Sequence, residues 1–281
     1  MIDLHTHSTV SDGSDSPAAL MELAGRQGLT AVALTDHDTV QGLAEARAAA
    51  AAVGVRLVEA CELSCEVGPA TMHLLVYFLS DSPGPLQDRL SGLQAARADR
   101  NRRIVAVLQD HGLDVTLDEI LAEAGRGSVG RPHVAGVLMQ KGYVSSIQEA
   151  FDVWLANGRP AYLDRERLLP AEAIALAHAS GAVAVLAHPT SLGYEGRALE
   201  RFVAALAAEG LDGMECEYGR YSPDLRATLR AMADRLGLAV TGGSDYHGRY
   251  KPDLALGSGL GDLAVPDSLL DALEARRRAL N

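Results

Sequence analysis

Short apolar runs alternate with longer helix-forming runs in both halves of this 281-residue chain. Met1 to His5 reads as a buried strand. Ser16-Pro17 reads as a helix start, with a capping hydroxyl and a proline in the first turn, and Gly28 as the end of that helix. Thr30 to Leu34 is a second strand, Thr39 opens a second helix that reaches Gly54, and Val55 to Ala60 is a third strand. The rhythm returns after Pro170. A helix to Ser180 precedes a strand from Ala182 to Ala187, and a helix from Leu199 to Glu209 precedes a strand from Gly213 to Cys216. A helix from Pro223 to Leu236 then precedes a strand from Ala239 to Thr241, and a last helix begins near Pro266. This order implies parallel strands with helices packed outside. The number of repeats predicts an α/β barrel of about seven or eight strands. The alternative, an open doubly wound sheet, is disfavoured because no glycine-rich fingerprint follows the first strand.

The middle of the chain breaks the rhythm. From 81 to 164 the signals are mostly helical, with Pro83, Gly84 and Pro85 at the entrance and Asn157-Gly158-Arg159-Pro160 near the exit. The expected organisation is a barrel over 1–80 and 165–281 and an inserted helical subdomain over 81–164. The insertion carries 9 basic against 11 acidic residues and the remainder 16 against 26, so the acidity lies mainly in the barrel. The run Arg97, Arg100, Arg102, Arg103 reads as a solvated helix face.

Hydrophobic residues make up 48% of the chain but aromatic ones only 4%, so the core must be built from Ala, Leu and Val. A net charge of −12 argues against a wide basic face for long nucleic acid. It leaves room for a small phosphorylated ligand held by a few local cations. No run is long enough to span a bilayer, and no basic and apolar leader follows Met1. Cys61, Cys65 and Cys216 lack zinc-type spacing and read as buried thiols of a cytoplasmic protein. Oligomeric state leaves no trace in the sequence.

Six of the nine histidines, His5, His7, His37, His73, His188 and His247, fall at or just beyond the ends of expected strands. Asp12, Asp36, Glu62 and Asp245 occupy comparable places. In an α/β barrel the carboxyl ends of the strands open onto one face, so such residues converge. His5 and His7 are two apart in an extended segment and point the same way. Imidazole and carboxylate without thiolate suit Mn²⁺, Fe²⁺ or Zn²⁺. Two such ions about 3.5–4 Å apart can share a hydroxide that attacks phosphorus in line.

The segments Asp3-Leu4-His5-Thr6-His7, Ser11-Asp12-Gly13, Thr35-Asp36-His37-Asp38-Thr39, Glu62, His73, Ala187-His188-Pro189 and Gly243-Ser244-Asp245-Tyr246-His247 resemble the motifs of the PHP (polymerase and histidinol phosphatase) superfamily. The inserted segment resembles the subgroup that acts on 3′,5′-nucleoside bisphosphates and on the 5′ ends of short RNA. The resemblance implies a distorted (β/α)7 barrel with an inserted helical subdomain and two or three divalent metal ions (Mn, Fe or Zn). One ion would use His5, His7, Glu62 and Asp245. A second would share Glu62 and add His73 and His188. A third would use Asp12, His37 and His247, with Asp12 standing where some relatives carry His.

A metal cluster alone does not select a substrate. Arg131, in Gly130-Arg131-Pro132-His133, is the first candidate for a phosphate clamp, because guanidinium binds phosphate as a bidentate fork. His133, Arg159 and Tyr162 are further candidate substrate contacts. Asp36 is expected either to orient an imidazole or to protonate a leaving group, and His188 and Asp245 to act at the reacting centre. Asp38 reads as a carboxylate at a helix N-terminus, and His111 and His178 as structural. The expected activity is removal of a 3′-phosphate from a nucleoside bisphosphate, 5′-to-3′ trimming of short 5′-phosphorylated RNA, or both. Histidinol-phosphate hydrolysis and a non-catalytic metal-binding module are the rivals.

Overall fold

Seven strands form one sheet in chain order, β1 to β7. A computed structural model describes residues 1–68, 70–80, 84–124, 129–164 and 166–280. Strand β1 (Ile2–Thr6) pairs parallel with β2 (Ala31–Leu34), which pairs parallel with β3 (Arg56–Val67). Between them lie α1 (Pro17–Gln27) and α2 (Leu43–Val53). Ser16 Oγ accepts from Ala19 N at 3.1 Å to start α1. Gly28, at φ 71°, ends it in the left-handed conformation that glycine adopts without strain. Helix α2 starts at Leu43 rather than Thr39. Residues 35–42 are drawn instead into the loop that carries Asp36, His37 and Asp38, and Asp38 Oδ1 there accepts from Ser64 N at 2.8 Å. Asp38 is therefore a cross-link between loop and strand, not a helix-end charge.

Strand β3 continues through Glu62 to Val67, well past the expected end at Ala60, and turns back as β4 (Ala70–Tyr77). The β3–β4 and β4–β5 pairings are antiparallel, which corrects the expectation of parallel strands throughout. Strand β4 breaks the βαβ rhythm by returning directly on β3 with no helix between, and its His73 faces Glu62. His73 and Glu62 consequently lie inside strands, not at their ends. Antiparallel register sets Ser64 opposite His73, and Glu62 is two residues from Ser64, so Glu62 and His73 share one face.

The chain then runs through α3 (Pro85–Asp110), α4 (Leu117–Ala124), α5 (Arg131–Gln140), the short α6 (Ile147–Ala150) and a π-helical turn, Phe151–Leu155. After α7 (Pro170–Ala179) come β5 (Val183–Leu186), α8 (Gly196–Ala208), β6 (Gly213–Tyr218), α9 (Pro223–Leu236), β7 (Ala239–Gly243) and α10 (Ser268–Leu280). Strand β7 closes on β1. Asp245 N donates to His5 O and His7 N to Tyr246 O, both at 2.9 Å. The result is a nearly closed seven-stranded α/β barrel.

Two compact units emerge. One comprises Met1–Asp88 with Arg167–Asn281, and the other Arg89–Glu166. The first has an interior core that includes Leu4, Val58, Leu75, Tyr77, Val183 and Val185, and a shell in which α1 and α2 cover Val32 and Leu34. The second has its own core from Ile104, Leu108, Val115, Ile120, Val134 and Leu138. Arg100 is buried there and not solvated, whereas Arg102 and Arg103 are exposed. The three cysteines are buried and free. No helix among the described residues is long and apolar enough to cross a membrane.

Two β-bulges interrupt the register. On β1, Ile2 and Asp3 pair with Ala31 and Val32, but Thr6 pairs with Leu34. The extra residue switches the alternation of faces. Leu4 joins the apolar interior, and His5 points into the same barrel a layer above. The second bulge lies on β6 between Glu215 and Glu217.

Barrel closure tolerates no side chain at Gly243, where an added Cβ would lie 2.4 Å from the backbone nitrogen of His5. Gly243→Ala is expected to cost about 2–3 kcal/mol, as overpacking does when backbone must move. Thermal denaturation of the metal-free variant checks this, with a fall of several degrees expected. An unchanged Tm would mean that β1 and β7 can separate freely.

Candidate metal centre

Glu62 lies at the middle of the site, 1% exposed. Its Oε2 faces three imidazole nitrogens: His7 Nε2 at 3.1 Å, His5 Nε2 at 3.2 Å and His37 Nδ1 at 3.3 Å. Its Oε1 faces His73 Nδ1 at 2.9 Å and His188 Nε2 at 3.1 Å. Six segments thus converge: β1 and the loops after β1, β2 and β5 supply imidazoles, β4 supplies His73 and β3 the carboxylate. Asp245 stands opposite. Its Oδ1 lies 3.6, 3.5 and 3.4 Å from His5 Nε2, His7 Nε2 and His247 Nδ1. Its Oδ2 accepts from Tyr218 Oη at 2.8 Å and Lys251 Nζ at 2.7 Å. Asp12 bridges the outer edge, 3.3 Å from His247 Nε2 and 3.6 Å from His37 Nε2.

Donor atoms gather into four overlapping groups: His7–Asp12–His37–His247, His5–His7–Asp245, His5–Glu62–His188 and His37–Glu62–His73. Within each, the atoms lie within 4.8 Å of one another. All nine residues expected as ligands are present. The grouping differs from the expected partition: Glu62 is outside the His5–His7–Asp245 group, His73 and His188 fall in separate groups, with His37 and His5 respectively, and His7 also joins the Asp12 group.

These residues fit divalent cations. One carboxylate oxygen cannot accept well-directed bonds from three imidazoles at once, and His7 Nε2 and His37 Nδ1 are buried without an aligned hydrogen bond. Such orphaned buried atoms are costly unless another partner is meant for them. The donors are nitrogen and carboxylate oxygen, as intermediate divalent ions prefer. The imidazoles also crowd, with ring centroids of His7 and His247 4.2 Å apart and of His7 and His37 4.6 Å apart.

Burial opposes charge throughout; at His37 it wins and lowers the imidazole to about 4, whereas at His7, Glu62 and Asp245 the mutual attraction wins. At His7, burial is outweighed by the carboxylates of Asp245 and Glu62, which raise the imidazole to about 9. At Glu62, burial is outweighed by His37, His73 and His5, which hold the carboxyl well below its usual range. At Asp245, burial is outweighed by His5 and His7, with the same result. The backbone is strained here too. Asp38, His188 and Asp245 adopt positive φ of 53°, 26° and 56° without being glycine.

Asp36 is not brought to an imidazole. Its Oδ1 accepts from Ser8 N at 2.8 Å and Ser11 Oγ at 2.7 Å, and its Oδ2 from Ser8 Oγ at 2.6 Å. It anchors the loop after β1, and reaches His7 only through Ser11 Oγ, 3.5 Å from His7 Nδ1. In the second unit, Arg131 Nη1 donates to Leu155 O at 3.0 Å, and the guanidinium lies 5.0 Å from the centroid of the Tyr162 ring. His133 Nδ1 accepts from Gly130 N at 3.0 Å, and burial holds its imidazole below the ordinary value. Arg159 is exposed, and Tyr162 Oη donates to Asp164 Oδ1 at 3.3 Å. His178 pairs with Asp212 at 2.8 Å, and His111 lies edge-on to Trp154, both remote in role from the imidazole cluster.

Sequence reasoning missed Glu215, Tyr218 and Lys251. Glu215 had a signal: it is a carboxylate inside a run otherwise read as a buried strand. Lys251 is one of only two lysines in the chain, but nothing local marks it.

Residues 3–151 match the family described as PHP domain. The chain is 36% identical over 248 residues to a 5′-3′ exoribonuclease of Haemophilus influenzae, covering 87% of this chain and 89% of that protein. It is 31% identical over 247 residues to a 3′,5′-nucleoside bisphosphate phosphatase of Chromobacterium violaceum, covering 88% and 87%. A crystal structure from Bifidobacterium adolescentis, provisionally described as a metal-dependent phosphoesterase, superposes with a TM-score of 0.78. It is 31% identical and covers 98% of this chain and 96% of that one. The fold and the site are those of a metal-dependent phosphoesterase. This chain belongs to the PHP family.

Metal uptake must displace protons. With its value raised to about 9, the His7 imidazole of the metal-free protein holds a proton at neutral pH and must lose it to donate a lone pair. Apparent Zn²⁺ affinity should therefore increase as pH rises from about 6 to about 9, through the range between the ordinary and the raised imidazole values. Titration calorimetry in two buffers of different ionisation enthalpy should show net proton release. An affinity flat across this range with no protons released would contradict the arrangement.

Proposed function

We propose that this chain hydrolyses a phosphate ester at the 3′ oxygen of a small 5′-phosphorylated nucleotide. The reaction would be 3′-phosphate removal from 3′,5′-nucleoside bisphosphates, 5′-3′ trimming of short 5′-phosphorylated RNA, or both. The observation that carries the reading is the ring of imidazoles around Glu62 and Asp245, a donor set with no thiolate and with several potential ion positions. The names of the relatives support the substrate class. The two activities are chemically close, because in both a 5′-phosphate is gripped while a bond at the 3′ oxygen breaks.

Two or three ions of Mn, Fe or Zn would be held by His5, His7, Asp12, His37, Glu62, His73, His188, Asp245 and His247. When bound, such ions polarise phosphoryl oxygens and make water a stronger nucleophile at neutral pH. The chain's own residues do the rest. Glu62 offers one oxygen to each of two sets of imidazoles, which suits it to bridging. Tyr218 and Lys251 occupy Asp245 Oδ2 and so leave Oδ1 turned toward the imidazoles. The Lys251 side chain is 33% exposed and adds a cation at the margin of an otherwise acidic site. Hydrolysis forms one bond from water oxygen to phosphorus, breaks the bond from phosphorus to the 3′ oxygen and returns a proton to that oxygen.

The second unit supplies selectivity in this reading, as a substrate-capping subdomain. Arg131 is the proposed grip on the non-reacting phosphate, with His133, Arg159 and Tyr162 as further contacts. Its support is local. Leu155 O is its only acceptor among the described residues, so much of the fork is uncommitted, and stacking on Tyr162 presets its plane. A panel of phosphate esters tests the substrate class. Adenosine 3′,5′-bisphosphate or a 5′-phosphorylated dinucleotide should exceed histidinol phosphate in kcat/KM, and the reverse order would sink the proposal.

Arg131 separates clamp from scaffold. A charge-assisted contact is worth roughly 1.5–3 kcal/mol, or about 10- to 150-fold in kcat/KM. Arg131→Ala should lose this on a bisphosphate and much less on p-nitrophenyl phosphate, which has no second phosphate. Arg131→Lys should recover only part, because a point charge cannot make the fork. Equal losses on both substrates would place Arg131 at the reacting phosphate. A large fall in Tm with unchanged activity of the folded fraction would leave it only as the cap on Leu155 O.

A further inference from the structure

Glu215 belongs to none of the four donor groups, yet it is fully buried and both of its oxygens are bound to residues that do belong. It stands on β6 immediately before the bulge at Cys216, facing the barrel interior opposite Thr241 of β7. Its Oε1 lies 2.9 Å from His5 Nδ1, and its Oε2 accepts from the backbone N–H of His188 at 2.7 Å. A carboxylate sealed from water is costly unless its lone pairs are engaged, and here two ligand-bearing residues engage them.

We propose that Glu215 is a positioning residue that prepares two metal-binding groups at once, fixing the tautomer and tilt of His5 and holding the backbone turn that aims His188.

The His5 half follows from the chemistry of imidazole. A neutral ring has one N–H and one lone pair, and the partner of one nitrogen decides the role of the other. With Glu215 as acceptor, the proton belongs on Nδ1. The lone pair is then on Nε2, the nitrogen 3.2 Å from Glu62 Oε2 and 3.6 Å from Asp245 Oδ1. The bulge on β1 points the ring inward, and Glu215 sets which edge of it leads.

The His188 half concerns the main chain. His188 follows β5, precedes Pro189 and sits at φ 26°, ψ 62°, a conformation that side-chain-bearing residues avoid. Its N–H points inward, away from any strand partner, and Glu215 supplies the acceptor. In that turn the ring is also held at Nδ1 by Ser191 Oγ at 2.9 Å, and Nε2 is delivered to Glu62 Oε1. His5 and His188 come from distant stretches of chain, and their rings lie 5.8 Å apart and nearly parallel. One carboxylate therefore couples the spacing of two imidazoles that share the Glu62 group.

The inference rests on the metal-centre reading, and the experiment separates the two. Glu215→Gln is nearly isosteric, but its amide can accept through one oxygen only and turns an NH₂ toward the other donor. Zn²⁺ affinity, measured by competition with a chromogenic chelator, should weaken about 10- to 100-fold, as when an outer partner of a ligating histidine is lost. Glu215→Asp keeps the charge but draws it back by one methylene, and should recover part of the loss. In Zn²⁺-loaded wild type, long-range ¹H–¹⁵N spectra should show His5 protonated on Nδ1 and ligating through Nε2. A wild type that binds no metal would end the metal-centre reading itself. A folded Glu215→Gln protein with wild-type affinity and an unchanged His5 spectrum would overturn the role of Glu215 alone. Should the variant not fold, the wild-type spectrum decides, since His5 ligating through Nδ1 would overturn the proposal.

Discussion

The structure turns on one buried carboxylate. Glu62 gathers imidazoles from His5, His7, His37, His73 and His188, which come from β1, β4 and the loops after β1, β2 and β5. Without a countercharge, these rings could neither be buried together nor approach within 4–6 Å of each other. Without the rings, an anion at this depth would be pushed toward its neutral form. The two kinds of group depend on each other, and each strand that reaches the site does so to join this exchange. Divalent ions held by these residues would supply the positive charge and the partners that the hydrogen bonds leave wanting at His7 Nε2 and His37 Nδ1.

The distortion of the barrel serves the same end. A regular parallel barrel offers ligands only from loops at the carboxyl ends of its strands. Here β4 runs the other way, and His73 arrives from the middle of a strand. The bulge on β1 turns His5 inward at a height where simple alternation would point it elsewhere, and the bulge on β6 shifts the register after Glu215, ahead of Tyr218, which reaches Asp245. Regular pairing is given up at the places where an inward polar side chain is required.

How much of this was legible in the sequence follows the range of each interaction. The boundary signals at Ser16, Gly28 and Pro223 are local, and the elements they bound were read almost to the residue. The nine residues that gather at Glu62 and Asp245 were visible because imidazole and carboxylate recur at strand ends and fit a known pattern. The hairpin partner β4 was hidden, since its direction depends on pairing with β3 and not on its own composition. The start of α2 slid from Thr39 to Leu43 because Asp38 and Asp36 are recruited by Ser64, Ser8 and Ser11. Glu215 showed only as a carboxylate in a buried strand; its partners, a ring nitrogen 210 residues away and a backbone N–H, leave no mark near it in the sequence, so its role was not legible.

The same range argument explains where strain collects. Of the four non-glycine residues at positive φ among the described residues, Phe78 lies in the apolar core, while Asp38, His188 and Asp245 lie in the loops of the site, each pinned by a polar contact from another element. Asp38 is bound to Ser64, His188 to Glu215, and Asp245 to Tyr218 and Lys251. Each unfavourable backbone conformation costs on the order of 1–3 kcal/mol and persists only when its surroundings overdetermine it. The carboxylates and hydroxyls that surround the imidazoles are those surroundings. Ser64, Glu215, Tyr218 and Lys251 hold these turns from outside the group of nine imidazoles and carboxylates, so the strain at the site is borne by contacts from β3, β6 and the segment after β7.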